Sequence, residues 1–168
     1  MIQEGRIEIS IPDNCSAEKF DGESHGLSHC MKAVDFIIET PRALNFLEIK
    51  DPNASVDAQR KAEYIENLTS GKIDHSLKYK FRDTWLYLNA MNRIKKPVNY
   101  LVLLAVSSLS SDALSARRVA LMKQLPLESA SGPWPNPFVA SCAVFNLETW
   151  NATLTAFPAR MRTSSALR

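Results

Sequence analysis

Two acids and one lysine occur at a spacing that suits a hydrolytic metal centre. Asp35 lies in one apolar, β-rich run, and Glu48 and Lys50 lie in the next. Side chains two positions apart on a strand share a face, so Glu48 and Lys50 point the same way and Asp35 on a partner strand can lie beside them. Mg²⁺ is usually held by one or two carboxylates together with waters and substrate phosphate. The three residues therefore predict metal-assisted hydrolysis of a phosphodiester, in which Lys50 orients or deprotonates the attacking water or neutralises charge on the phosphate.

The surroundings of these residues favour the catalytic interpretation. Asp and Lys are poor strand formers and are costly to bury, so charged residues inside apolar strands are expected mainly at functional sites. The spacing alone is weak evidence for a site. In a chain of this composition, an acid two residues before a lysine should occur about once by chance. The same pair with an Asp at a suitable distance upstream should occur roughly 0.2 times. The alternative is a hairpin that exposes one edge and carries an ordinary surface pair of Glu48 and Lys50.

The apolar periodicity along the chain predicts the elements that must position this trio. It indicates four strands, at residues 6–11, 33–38, 43–50 and 98–106, with the middle two paired as a hairpin, and a last strand at 138–145. It indicates a helix at 54–68, capped by Asn53 or Ser55 and ended by Gly71. A second helix, capped by Ser111 or Asp112, extends to about residue 124, and a short helix is expected at 147–150. Residues 14–28 are predicted to be a loop, with one helical turn at 16–20.

A stronger helix is predicted between residues 77 and 94. Six apolar residues spaced by three or four form one stripe, with the basic residues mostly off it: Leu77, Phe81, Trp85, Leu88, Met91 and Ile94. The strand that follows is apolar throughout, as in a strand buried on both faces. Strands that first form a meander and then alternate with helices predict an α/β fold with a central mixed sheet flanked by helices.

With this order of elements, the chain resembles the PD-(D/E)XK nuclease superfamily. The resemblance rests on Asp35-x12-Glu48-Ile49-Lys50, and "MKAVDFIIETPRALNFLEIKDP", "KFRDTWLYLNA" and "PVNYLVLLAV" resemble a group of uncharacterised bacterial proteins with that core. It covers residues 30–106 and extends loosely over the last third. The leading Pro of the family name is absent, since Val34 precedes Asp35. The resemblance implies a restriction-endonuclease-like core in a single nuclease domain, 1–168, with a C-terminal extension over about 107–168.

The resemblance also implies roles for individual residues. Asp35 and Glu48 would chelate Mg²⁺, which Mn²⁺ could replace, and the backbone carbonyl of Ile49 would join them. Lys50 would serve the nucleophilic water. Many members add an acid from an N-terminal helix, for which Glu18 or Asp21 is the candidate. Some place a Lys, Arg or Gln on the helix after the lysine strand, and here Lys80 and Arg82 are the candidates.

The distribution of charge is compatible with a nucleic-acid partner. Residues 78–96 contain six basic residues and one acid, the tail after Thr153 contains three arginines and no acid, and the net charge of the whole chain is only +2. Lys78, Lys80 and Arg82 are therefore candidate phosphate contacts, with DNA favoured over RNA. The alternative is a solvated helix face. A homodimer or a partner protein could add sequence specificity, because phosphate contacts carry none.

The remaining composition excludes other classes. No apolar run reaches the roughly 18 residues of a membrane span, and three cysteines at irregular spacing favour reduced thiols and a cytoplasmic location over a disulfide framework. The second functional hypothesis is a catalytically inactive module of the same fold, which binds nucleic acid or serves as a subunit of a larger assembly. Carboxylates of Asp35 and Glu48 that converge in an open cleft near basic residues would favour the enzyme, whereas carboxylates sealed by side chains or paired with arginines would favour the module.

Overall fold

The computed structural model describes residues 1–22, 26, 29–52, 58–106, 109–126 and 138–162. In these residues the strands are β1 (Ile2–Glu4), β2 (Ile7–Ile9), β3 (Ser16–Lys19), β4 (Phe36–Glu39), β5 (Leu44–Lys50), β6 (Val98–Leu104), β7 (Ser141–Phe145) and β8 (Ala159–Met161). The helices are α1 (Ala58–Thr69), α2 (Lys72–Ala90), α3 (Ser111–Met122) and α4 (Leu147–Thr153).

Five of the strands form a mixed sheet in the order β3-β4-β5-β6-β7. The hairpin β4–β5 is antiparallel and in the register Phe36↔Leu47, while β6 pairs in parallel with both β5 and β7. The crossover from β5 to β6 runs through α1 and α2, which is the connection that a parallel pair requires. The expected α/β class, a mixed sheet flanked by helices, is confirmed.

The alternation of side chains along β4 and β5 divides the core into two layers. Leu44 and Phe46 face α1, α2 and α3, whereas Leu47 and Ile49 face the opposite layer, which contains Trp150 of α4. Both faces of the sheet are covered, which explains why β5 and β6 are apolar on both sides. The carboxylate of Glu48 must therefore lie in the first layer, on the same side as the helices α1 and α2.

The N-terminal part of the chain differs from the sequence expectation. The helical turn predicted at residues 16–20 is wrong, because Ser16–Lys19 is β3, the edge strand beside β4. The strand predicted at residues 6–11 exists as β2, but it belongs to a separate antiparallel sheet in the order β1-β2-β8. The strand predicted at 138–145 was expected to be the last, but β8 follows it. β1 and β8 have three residues each, which is too few to give a periodicity.

The helix boundaries follow from local backbone geometry. Gly71 separates α1 from α2 with a φ of +84°, a left-handed conformation that favours glycine, and a Cβ there would displace the guanidinium of Arg117, whose Nη1 would lie 2.2 Å away. The predicted caps Asn53 and Ser55 lie outside the described residues. Helix α3 is capped by Ser110, whose side chain accepts a hydrogen bond from the backbone N–H of Ala113.

Helix α2 ends before the predicted apolar stripe does. Leu77, Phe81 and Leu88 are buried, but Met91 lies beyond the last turn and is 56% exposed. Among the described helices, none is both long enough and apolar enough to span a bilayer.

Candidate active site

The carboxylate of Asp35 is fixed where the backbone pairing of β4 and β5 stops. The last paired residues are Phe36 and Leu47, and Asp35 comes just before β4. Its Oδ2 accepts a 2.6 Å hydrogen bond from the backbone N–H of Ile49. The Asp35 side chain thus continues the β4–β5 pairing beyond the last backbone pair, and it lies beside the part of β5 that contains Glu48 and Lys50.

Glu48 lies on the helix-facing side of β5 and its side chain is 0% exposed. Its Oε1 lies 2.7 Å from Nζ of Lys80 and is also in contact with Nζ of Lys50. These two contacts are ion pairs without the angular geometry of a hydrogen bond, and Oε2 has no hydrogen-bond partner within the described part of the chain. A buried carboxylate oxygen in this situation is costly unless another group or ion binds it.

Lys80 joins the two carboxylates from above the sheet. Its Nζ donates a 3.0 Å hydrogen bond to Oδ1 of Asp35 and lies 2.7 Å from Oε1 of Glu48. Packing holds α2 in this position, because Phe81 contacts Phe46 of β5 and the Tyr100 hydroxyl of β6 donates a 3.0 Å hydrogen bond to a carbonyl of α2. The ammonium group of Lys80 therefore lies between two acids that belong to different strands.

Burial dominates the electrostatics of Glu48. Desolvation, followed by the negative charge of Asp35, raises its pKa to about 7, although Lys50 and Lys80 both act to lower it. For Lys80, burial alone would lower the pKa, but the charges of Glu48 and Asp35 outweigh it, and the pKa is raised. Lys80 is therefore charged at neutral pH, whereas Glu48 is divided between its ionised and protonated forms.

Two further groups lie near this site, and the sequence analysis did not identify them. The Tyr64 hydroxyl of α1 is buried and has no hydrogen-bond partner among the described residues, and burial and the charge of Glu48 raise its pKa. Asp51 follows Lys50 and accepts two 2.9 Å hydrogen bonds from the guanidinium of Arg6. The Arg6–Asp51 pair ties the small sheet to the end of β5.

Glu18 and Asp21, the candidates for an additional metal-binding acid, are paired with basic residues outside the cluster of Asp35, Glu48, Lys50 and Lys80. Glu18 is on the strand β3, not on a helix, and its carboxylate is paired with Arg93. Asp21 is exposed and lies 3.2 Å from Nζ of Lys19. In this structure the carboxylates in contact with Lys80 are those of Asp35 and Glu48.

The three candidate phosphate contacts are divided between two faces of α2. Lys78 and Arg82 are four residues apart and share a face, where they line a cavity of about 510 Å³ together with Tyr79, Trp85 and other residues. The guanidinium of Arg82 lies 4.1 Å from the centre of the Tyr79 ring. Lys80 points to the sheet and contacts the carboxylates.

The helical spacing of Lys80 in the sequence is consistent with its inward position. Lys80 lies three residues after Leu77 and four before Thr84, and both of those residues are buried. Its spacing therefore belongs to the buried stripe. The stripe was predicted from apolar residues alone, and for that reason it did not include Lys80.

The donor set fits a divalent cation with oxygen ligands. Asp35 and Glu48 supply carboxylates, and Oε2 of Glu48 is a buried acceptor without a partner in the described ranges. In an antiparallel strand the N–H and C=O of one residue point to the same neighbour, so the carbonyl of Ile49 lies on the side where its N–H contacts Asp35. The described residues contain no group of three or more His, Cys, Asp or Glu side chains that could hold a metal. Two carboxylates, a carbonyl and waters suit Mg²⁺, which does not need an all-protein cage.

Comparison with protein families, curated proteins and solved structures gave no significant match to this chain.

Proposed function

We propose that the chain is a metal-dependent nuclease of the PD-(D/E)XK type, with a restriction-endonuclease-like core. The observation that carries this proposal is the meeting of Asp35, Glu48, Lys50 and Lys80 at one point of the sheet, where the pairing of β4 and β5 ends. Two acids and two lysines in one buried cluster are expensive to assemble for stability alone, because each ion loses its hydration. Such clusters are typical of sites where charge is needed for chemistry.

Asp35, Glu48 and the carbonyl of Ile49 would hold Mg²⁺, and Mn²⁺ could take its place. When bound, the ion would supply Lewis-acid stabilisation of the charge that develops on the phosphate. Lys50 is on the same face of β5 as Glu48, where its ammonium group would contact the attacking water or a phosphate oxygen. Hydrolysis forms a bond from the water oxygen to phosphorus and breaks the bond from phosphorus to the leaving sugar oxygen.

The substrate class is proposed from the basic and aromatic residues of α2. Lys78 and Arg82 line an aromatic cavity on the other side of α2, and their charges suit a phosphate backbone while the rings of Tyr79 and Trp85 suit a base. We propose nucleic acid as the substrate, with DNA favoured over RNA. Contacts of this kind position a backbone without reading its sequence, so little intrinsic specificity is expected.

One observation favours the second candidate, an inactive module of the same fold. Asp35 and Glu48 converge, but they are only 4% and 0% exposed, and carboxylates sealed from solvent are the arrangement that favours the module. In that case the cluster would be structural, and the surface of α2 would bind nucleic acid or a partner protein without cleavage.

A cleavage assay separates the two candidates. Purified full-length protein is incubated with single- and double-stranded DNA and RNA in Mg²⁺, in Mn²⁺ or in EDTA. Cleavage is expected only with metal, and Lys50→Ala and Glu48→Gln should each slow it by about 100-fold or more, the usual scale for a group that serves proton transfer.

The matched controls are Lys123→Ala and Glu148→Gln, which remove an exposed lysine after α3 and an exposed acid of α4. Both should cleave at the wild-type rate. Wild-type protein that binds nucleic acid and never cleaves it would favour the module, and metal-independent cleavage would refute the proposed site.

A further inference from the structure

The ammonium group of Lys80 occupies the position between Asp35 and Glu48 that a shared cation would take. It contacts one oxygen of each carboxylate, at 3.0 Å and 2.7 Å, and the Lys80 side chain is 17% exposed. Nζ of Lys50 contacts the same oxygen of Glu48, Oε1, as Lys80 does. Both acids of the candidate metal site are therefore already neutralised by groups of the chain itself.

The formal charges of the four groups cancel, because two carboxylates and two ammonium groups sum to zero. A divalent cation added to this arrangement would meet no net negative charge, and it would lie next to two positive charges in a medium where charges interact strongly. Metal binding is therefore unfavourable unless one ammonium group leaves.

Of the two ammonium groups, that of Lys80 is the one that a metal ion would displace. It lies between both acids, whereas Lys50 contacts only Glu48 among them. The Lys80 side chain is 17% exposed and has a flexible four-carbon chain, so its ammonium group can be displaced toward solvent by rotation of that chain.

We propose that Lys80 is an internal counter-cation, which holds the two acids together in the metal-free protein and which a divalent metal must displace. This inference depends on the proposed metal site, and it adds that Lys80 sets the metal concentration at which the site fills. In the metal-free protein Lys80 stabilises the fold, and in the metal-bound protein its displaced ammonium is free to contact phosphate.

The test is Mn²⁺ binding by the full chain, measured by the loss of the free-ion signal in electron paramagnetic resonance. Lys80→Gln should bind Mn²⁺ about tenfold more tightly than wild type or better, since one competing positive charge has been removed. The same variant should have a lower Tm than wild type in EDTA and should gain more Tm from Mn²⁺. Lys80→Met keeps the aliphatic chain without its charge, and gives a second test if Lys80→Gln does not fold.

The matched control is Arg117→Gln. Arg117 forms a 2.9 Å ion pair with Asp74, and its side chain is buried to nearly the same extent as that of Lys80. Its loss should lower Tm and leave Mn²⁺ affinity unchanged. A Lys80 variant that binds Mn²⁺ no more tightly than wild type would overturn the role of Lys80 and leave the metal site in place. If neither wild type nor variant binds Mn²⁺, or if Glu48→Gln binds it equally well, the metal site and the inference both fail.

Discussion

The pKa of Glu48 predicts an unusual dependence of stability on pH in the metal-free protein. The carboxyl has a pKa of about 7 in the folded state, against an ordinary 4.5, because it is buried and lies beside Asp35. Between these two pH values the folded chain binds a proton that the unfolded chain has released. The contribution of Glu48 to stability is therefore full below pH 4.5 and is lost as pH rises through 7.

The size of the effect follows from the pKa difference. A change from 4.5 to about 7 corresponds to roughly 3 kcal/mol of unfolding free energy, at about 1.4 kcal/mol for each pKa unit. About three quarters of that loss falls between pH 5 and pH 8. Glu48→Gln removes the titrating group and keeps the shape of the side chain, so the loss should be absent in this variant.

The measurement is urea denaturation of wild type, Glu48→Gln and the exposed control Glu148→Gln, at four pH values from 5 to 8 in EDTA. The free energy of unfolding of wild type should fall by about 2 kcal/mol relative to Glu48→Gln over this range, and Glu148→Gln should follow wild type. A constant difference, or one that changes in the opposite direction, would show that Lys50 and Lys80 keep Glu48 ionised throughout.

Three further predictions concern residues around the site and in the small α4 segment. Arg6→Ala removes two hydrogen bonds from Asp51 and should lower the free energy of unfolding by about 1–3 kcal/mol in urea denaturation; an unchanged midpoint would show that this ion pair contributes nothing. Tyr64→Phe removes a hydroxyl without a partner in the described chain, so stability should change by less than about 0.5 kcal/mol, and a larger loss would reveal an unseen partner. Asn146→Ala removes the capping box of α4 and should cost about 1 kcal/mol, a value that thermal denaturation can check and that an unchanged Tm would contradict.

The hairpin and the buried parallel strand could be predicted because their signals are local. Each run of apolar residues in β4, β5 and β6 is bounded by turn chemistry, such as Thr40-Pro41, and the period of two places Glu48 and Lys50 on one face. The position of Asp35 followed from the same pairing. Its hydrogen bond to the backbone of Ile49 depends on where the pairing ends, which no periodicity indicates.

The elements that were missed depend on contacts between distant parts of the chain. β8 pairs with β2 in the register Ala159↔Ile9, and a three-residue strand such as β8 exists only because the tertiary fold brings it beside β2. β3 is an edge strand with the sequence Ser-Ala-Glu-Lys, in which no side chain is fully buried, so it has no apolar alternation. The resemblance offered Lys80 and Arg82 as candidate site residues on α2, but the sequence did not choose between them, because a lysine at a helical spacing is usually at the surface.

The central claim is that Asp35 and Glu48 hold a divalent metal that acts on a phosphodiester. The most direct measurement is a crystal structure of the full chain grown with Mn²⁺ and a short DNA duplex, with the anomalous signal of manganese used to locate the ion. The account predicts an ion bound to both carboxylates, Lys80 displaced from between them, and a cleaved phosphate beside Lys50. An intact duplex, with no manganese at Asp35 and Glu48 and with Lys80 still between them, would contradict it.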